Sequence, residues 1–149
     1  MSNNEPIRQF KGRYRFLSNF YPTKITIDGK EYPSTEHYYQ AMKFTDPELR
    51  EKIQTASSPG KAKKMARSNQ PREDWHDISL EVMKRALRVK FNNPKLRQKL
   101  LATGDSILQE GNTWGDEFWG VNLNTGEGKN HLGKLLMRLR QEFREEDKT

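Results

Sequence analysis

The run Tyr32-Pro33-Ser34-Thr35-Glu36-His37-Tyr38-Tyr39-Gln40 decides how the rest of the chain is read. Pro33 disfavours helix in the residue before it, and Ser34 can accept from the free backbone N–H groups of a helix that starts just beyond. Glu36 then lies in the first turn, where the helix dipole favours a negative charge. Tyr38, Ala41 and Met42 recur at i, i+3 and i+4, so that face is expected to enter a core, with the helix running to about residue 44. A carboxylate fixed at a helix start, with the polar Ser18-Asn19-Phe20 loop upstream, is a candidate catalytic group. The plainer alternative is a Glu that serves only the dipole.

Upstream, Lys24-Ile25-Thr26-Ile27, Asp28-Gly29 and Lys30-Glu31-Tyr32 predict a β-hairpin, because Asp-Gly supplies the positive φ angles of a tight turn. Residues 10–20 alternate basic and aromatic side chains, among them Arg13, Tyr14, Arg15 and Phe16. That pattern suits a surface for a planar base and its phosphate, or equally a half-buried strand with one wet face. Residues 1–9 are polar and are expected to be loose.

Downstream, Lys43 lies seven residues after Glu36, on the same side two turns along, where it can hold a phosphate or simply be solvated. Asp46-Pro47 and Ser58-Pro59 each predict a helix with Pro at its first position. The second of these has Ala62, Met65 and Ala66 inside and Lys61, Lys63, Lys64 and Arg67 outside, a basic face that suits phosphates as well as water. Trp75 opens the longest predicted helix, with Ile78, Val82, Ala86 and Val89 on one stripe and Met83, Leu87 and Phe91 widening it. It is placed either to stack on a ligand or to staple the helix start. Asn93-Pro94 begins a short helix stopped at Thr103-Gly104, and residues 105–110 read as a short extended piece.

Residues 111–130 form the second informative stretch. Trp114 and Trp119 flank the acidic pair Asp116-Glu117, and Gly120 precedes the glycine-rich run Asn124-Thr125-Gly126-Glu127-Gly128-Lys129-Asn130. Large rings near glycines suit a pocket for a flat ligand. The run is not a Walker A loop, which needs Gly at 123 and Ser or Thr at 130, where this chain has Leu123 and Asn130. Asn130 is expected to cap the last helix, whose first backbone N–H groups are candidates for a phosphate contact.

The length of 149 residues suits one domain with a real core. Without cysteine there is no disulfide framework or thiolate metal site, and three histidines isolated in sequence argue against zinc. No long apolar run is present and the N-terminal stretch lacks a signal peptide's apolar core, so a soluble cytoplasmic protein with no membrane partner is expected. A net charge of +7 fits a phosphate-rich partner, and fits mere solubility as well. The expected fold is mainly α, about six helices, with a small β-hairpin or sheet.

The chain resembles the NADAR, or YbiA-like, family. The resemblance rests on Phe16-Leu17-Ser18-Asn19-Phe20-Tyr21-Pro22, on Tyr32 to Ala41 with Lys43-Phe44, and on Ala56-Ser57-Ser58-Pro59, Asp74-Trp75 and Lys90-Phe91. Further pieces are Leu100-Leu101-Ala102-Thr103-Gly104, Asp116 with Trp119-Gly120, and residues 126–137. It implies a single YbiA-like domain over nearly the whole chain and an N-glycosidase that needs no cofactor. Substrates implied are an early riboflavin-pathway ribosylamino-pyrimidine phosphate or an ADP-ribosylated guanine, free or on nucleic acid. Carried over by motif, Glu36 is the expected principal catalytic carboxylate and Asp116 a pocket residue, which the chemistry gives a supporting catalytic role at the leaving group. Ser18, Asn19, Phe20, Lys43, Trp75, Trp119, Gly120 and Asn130 are the expected substrate contacts.

The residue types suit that chemistry. Breaking a C1′–N bond builds positive charge on the sugar, which a carboxylate stabilises while it or a second acid handles the protons. Two readings from other classes use the same residues: a non-catalytic module for ADP-ribose or nucleic acid, and a basic protein that holds nucleic acid through Arg13, Arg15 and residues 61–67.

Overall fold

The computed structural model describes residues 5–148, which hold six α-helices, one 3-10 helix and two small two-stranded sheets. They group into two compact units, Asn19–Lys90 and Met1–Ser18 with Phe91–Thr149. No helix among the described residues is long and apolar enough to cross a membrane.

The unit of Asn19–Lys90 begins with the expected hairpin. Strands β1 (Ile25–Ile27) and β2 (Lys30–Tyr32) pair antiparallel in the register Ile25↔Tyr32 and Ile27↔Lys30. Asp28 (φ 53°) and Gly29 (φ 77°) make the turn. Helix α1 (Thr35–Ala41) follows, and the Ser34 side chain accepts from the His37 N–H at 3.2 Å. Helices α2 (Pro47–Gln54) and α3 (Pro59–Arg67) are capped in the same local way by Asp46 and Ser58, each with Pro in the first turn. Helix α4 (Trp75–Lys90) completes the unit. Every residue of α1 is buried, and α2, α3 and α4 all pack on it. A core of Ile25, Ile27, Tyr32, Tyr38, Ala41, Phe44, Ile53, Ala62, Ala66 and Ala86 surrounds it.

The stripe of α4 differs from the expected one. Ser79, Met83, Ala86, Leu87 and Lys90 are buried, while Ile78, Val82 and Val89 flank them half-buried. A lysine on the inner face cannot be read from an apolar pattern. Lys90 is 1% exposed, its Nζ lies 5.7 Å from the centre of the Tyr21 ring, and burial pulls its ammonium down to about 7.

In the other unit, residues 10–20 do not supply a strand. Gly12–Leu17 is a 3-10 helix that buries Phe16 and Leu17. The Arg13 guanidinium bonds the Tyr14 hydroxyl at 2.7 Å and lies 4.8 Å from that ring's centre, so the pair expected to meet a base satisfies itself. Of the run 1–9, residues 1–4 lie outside the described residues. Ile7 is buried and bridges Leu108 in parallel, which ties residues 7–9 to the extended piece at 107–111 instead of leaving them loose. Helix α5 (Pro94–Ala102) is capped by Asn93, and α6 (His131–Asp147) packs on it. Strands β3 (Gly111–Asn112) and β4 (Val121–Asn122) pair in parallel. Arg140, 6% exposed, donates to the Thr103 hydroxyl at 2.8 Å, which in turn donates to the Leu100 carbonyl.

Candidate functional site

Helix α1 carries the chemistry of the first unit, and its start is clamped from upstream. The Glu36 N–H, one of the first-turn donors left over by helix geometry, donates to the Asn19 carbonyl at 3.2 Å. The Thr35 hydroxyl donates to Asn19 Oδ1 at 2.8 Å. Both oxygens of Asn19 therefore hold the helix start.

The Glu36 side chain is enclosed, with the residue 7% exposed. Its Oε2 accepts from Gln40 Nε2 at 2.6 Å, one turn along the helix. The amide can take only this orientation beside a carboxylate, because the reverse would set oxygen against oxygen. Gln40 is 3% exposed, and its Oε1 is buried without a hydrogen-bond partner among the described residues. Such an orphan acceptor costs about 1–3 kcal/mol and marks a place prepared for a donor. Gln40 was not among the expected site residues, although its i+4 spacing from Glu36 was the signal that pairs them.

His37 fixes the same helix to the segment before α3. Its Nε2 is 2.9 Å from the Ala56 carbonyl and its Nδ1 2.7 Å from Ser34 Oγ. The carbonyl can only accept, so Nε2 carries the proton and the Ser34 hydroxyl donates to Nδ1. Burial holds the imidazole below its usual 6.5, while the bond to Ala56 pulls weakly the other way. Below pH 6.5 the unfolded chain takes up a proton that the folded ring resists, so stability falls as pH drops through that range. Thermal unfolding followed from pH 8 to about 5 is expected to show this loss, with a shallower slope in His37→Asn; equal slopes would contradict it.

Aromatic and cationic groups adjoin the carboxylate. The Tyr39 ring lies 5.0 Å from the half-buried Trp75 ring at a 57° tilt, and Lys43 Nζ lies 5.5 Å from the centre of the Tyr39 ring. Burial, chiefly, lowers the Lys43 ammonium below the usual lysine range; Glu36 opposes this, and Lys63 and Arg67 add to it. Asn19, Glu36, Lys43 and Trp75 thus converge on α1. Phe20, at 41% exposed, is in the same unit.

Asp116, Trp119, Gly120 and Asn130 fall in the other unit, with Ser18, whose N–H donates to the Arg15 carbonyl. Asp116 Oδ1 accepts from the N–H groups of Phe118 (3.2 Å) and Trp119 (3.0 Å), so this carboxylate shapes the turn that carries Trp119. Asn112, 1% exposed, locks the loop from inside: Oδ1 accepts from the Asp116 N–H and Nδ2 donates to the Asp116 carbonyl. Nothing in the local sequence distinguishes it. The Trp119 ring meets Phe118 edge-on at 5.0 Å and His131 at 6.3 Å, whereas Trp114 is 65% exposed.

Two expectations for this unit are corrected. Asn130 does not cap α6 with its side chain; it adopts left-handed backbone (φ 51°), and its side chain bridges the Leu108 carbonyl (2.9 Å) and the Glu110 N–H (3.1 Å). At the start of α6 the His131 and Leu132 N–H groups are not open to a phosphate either. Those of Lys129, Asn130, His131 and Leu132 donate to the carbonyls of Glu117, Gly120, Phe118 and Trp119. Gly120 serves close packing, because a Cβ there would collide with the Glu110 carbonyl and carboxylate and with Asn112 Nδ2.

No group of three or more His, Asp or Glu side chains among the described residues is placed to hold a metal ion. The arrangement on α1 can stabilise a cation, take a proton from water and stack against a flat ring.

The NADAR domain matches residues 7–144 of the chain. A riboflavin biosynthesis protein of Vibrio vulnificus is 47% identical over 133 residues, covering 87% of this chain, which spans 36% of that protein. N-glycosidase YbiA of Escherichia coli is 44% identical over 133 residues, covering 87% of this chain and 82% of YbiA. The solution structure of E. coli YbiA superposes with a TM-score of 0.87 at 40% identity, covering 99% of this chain and 89% of that one.

Proposed function

The chain belongs to the NADAR domain family, and on that premise we propose that it is an N-glycosidase acting on the C1′–N bond between a phosphorylated ribose and a base. The observation that carries this reading is the Glu36–Gln40 pair at 2.6 Å, enclosed on α1 beside Lys43, Tyr39 and Trp75. Glu36 stabilises the positive charge that grows on C1′ and takes a proton from the attacking water. The Gln40 amide holds the carboxylate in place, and its carbonyl accepts from that water or from a ribose hydroxyl. The water oxygen bonds to C1′, the C1′–N bond breaks, and its electron pair leaves with the base, which takes up a proton. In the other unit Asp116 shapes the turn that carries Trp119. Trp75 stacks on the base, worth about 1–3 kcal/mol if it acts as other base-stacking rings do. Asn19 serves as framework for Glu36 by holding the start of its helix.

The substrate favoured is a small ribosylamino-pyrimidine phosphate, handled in the cytoplasm. The riboflavin biosynthesis names of the Vibrio relative and of a maize relative 39% identical over 145 residues support this choice over an ADP-ribosylated guanine. The test is chromatography of base released from both substrates in parallel. Release from the pyrimidine substrate supports the reading. Release only from ADP-ribosyl guanine moves the substrate to that class, and binding of ADP-ribose with no release from either favours a non-catalytic module.

A further inference from the structure

We propose that Lys63 and Arg67 on α3 form, with Lys43, the subsite for the phosphoryl group carried by the ribose. This rests on the N-glycosidase reading above, which requires a phosphorylated sugar. Backbone carbonyls already take the His131 and Leu132 N–H groups at the start of α6, which turns the search for phosphate donors to side chains.

Helix α3 supplies them through its packing. Ala62 and Ala66 are buried, and their small side chains let α3 lie close on α1. Lys63 and Arg67 follow each by one residue, i and i+4 on the flank of that buried face, with Lys63 half-buried. The His37–Ala56 bond fixes the entry to α3 against α1, so the placement is held from both ends of the contact.

The charges at this place are only partly offset, by the pull of Glu36 on Lys43. Arg72, Arg85, Arg97 and Arg144 are all ion-paired with carboxylates. Lys43, Lys63 and Arg67 make no ion pair among the described residues. Lys63 and Arg67 nonetheless lie near enough to disfavour the Lys43 ammonium, adding to its burial. Like charges gathered beside a candidate catalytic carboxylate cost stability until an anion joins them. A phosphate monoester supplies two negative charges and three acceptor oxygens, which matches three cations. Lys61 and Lys64, on the same helix and exposed as Arg67 also is, give an internal control, because Lys63 and Arg67 are the charges of this helix that act on Lys43.

The experiment titrates inorganic phosphate, ribose 5-phosphate and ADP-ribose into wild type, Lys63→Ala/Arg67→Ala and Lys61→Ala/Lys64→Ala by calorimetry. Loss of two charge-assisted contacts is expected to weaken ribose 5-phosphate about 100-fold, while the control pair changes it by about twofold or less. Dependence confined to ADP-ribose would identify a diphosphate in place of a monoester, and either result supports a phosphoryl subsite. In turnover, Lys63→Ala/Arg67→Ala should raise KM for the phosphorylated substrate with kcat nearly unchanged, and leave the dephosphorylated substrate unaffected. Equal weakening by both double variants, or wild type binding none of the three probes, would overturn the subsite. Absence of base release with binding still dependent on Lys63 and Arg67 would sink the glycosidase reading and leave the subsite standing.

Discussion

Glu36→Gln is expected to lower the rate of base release by about a thousandfold or more, with ligand affinity changed less than about tenfold. The substitution keeps shape and removes only charge and basicity. The helix start stays clamped, because the bond from the residue 36 N–H to the Asn19 carbonyl involves backbone alone. The contact with Gln40 also survives, since a Gln carbonyl can accept from Gln40 Nε2 as Oε2 does at 2.6 Å. What disappears is the charge that opposes the growing cation on C1′ and the base that takes water's proton. Single-turnover release, with binding measured on the same preparation, separates the two effects. A rate within tenfold of wild type would remove Glu36 from the chemistry.

Gly120→Ala is expected to cost about 2–4 kcal/mol of stability and to lower the melting temperature by roughly 5–15 °C. The obstacle is rigid backbone. A new Cβ would meet the Glu110 carbonyl, and that carbonyl is held where it is by the Val121 N–H at 2.9 Å. The Glu110 N–H is likewise held by Asn130 Oδ1. On the other side, the Gly120 carbonyl accepts from the Asn130 N–H, so neither segment can retreat without releasing the start of α6. Calorimetric or spectroscopic melting checks this. A shift of less than about 2 °C would show that the segments yield.

How much was legible in the sequence follows from how local each signal is. Asp28-Gly29 fixed its own turn, and Ser34, Asp46, Ser58 and Asn93 each bond an N–H two or three residues on, so these starts could be read directly. Asn130 looked like the same signal. Its side chain instead serves residues 108 and 110, about twenty positions back, which no local rule anticipates. Residues 10–20 carry no strand period, and a 3-10 helix there buries Phe16 and Leu17 while Tyr14 stays half-buried and Phe20 exposed. Helical spacing places Glu36 and Lys43 on one side, and the same rule pairs Gln40 with Glu36 at i+4. Gly120 drew attention as a pocket glycine beside Trp119, but its reason is the approach of residue 110, visible only in three dimensions.

Hydrolysis of a ribosyl C1′–N bond has a direct signature in product stoichiometry. Purified protein is given the phosphorylated ribosylamino-pyrimidine, and both products are quantified by chromatography over one time course. Free pyrimidine and ribose 5-phosphate are expected to appear in equal amounts from the first turnover. Substrate bound and recovered intact, with neither product formed, would contradict the hydrolysis.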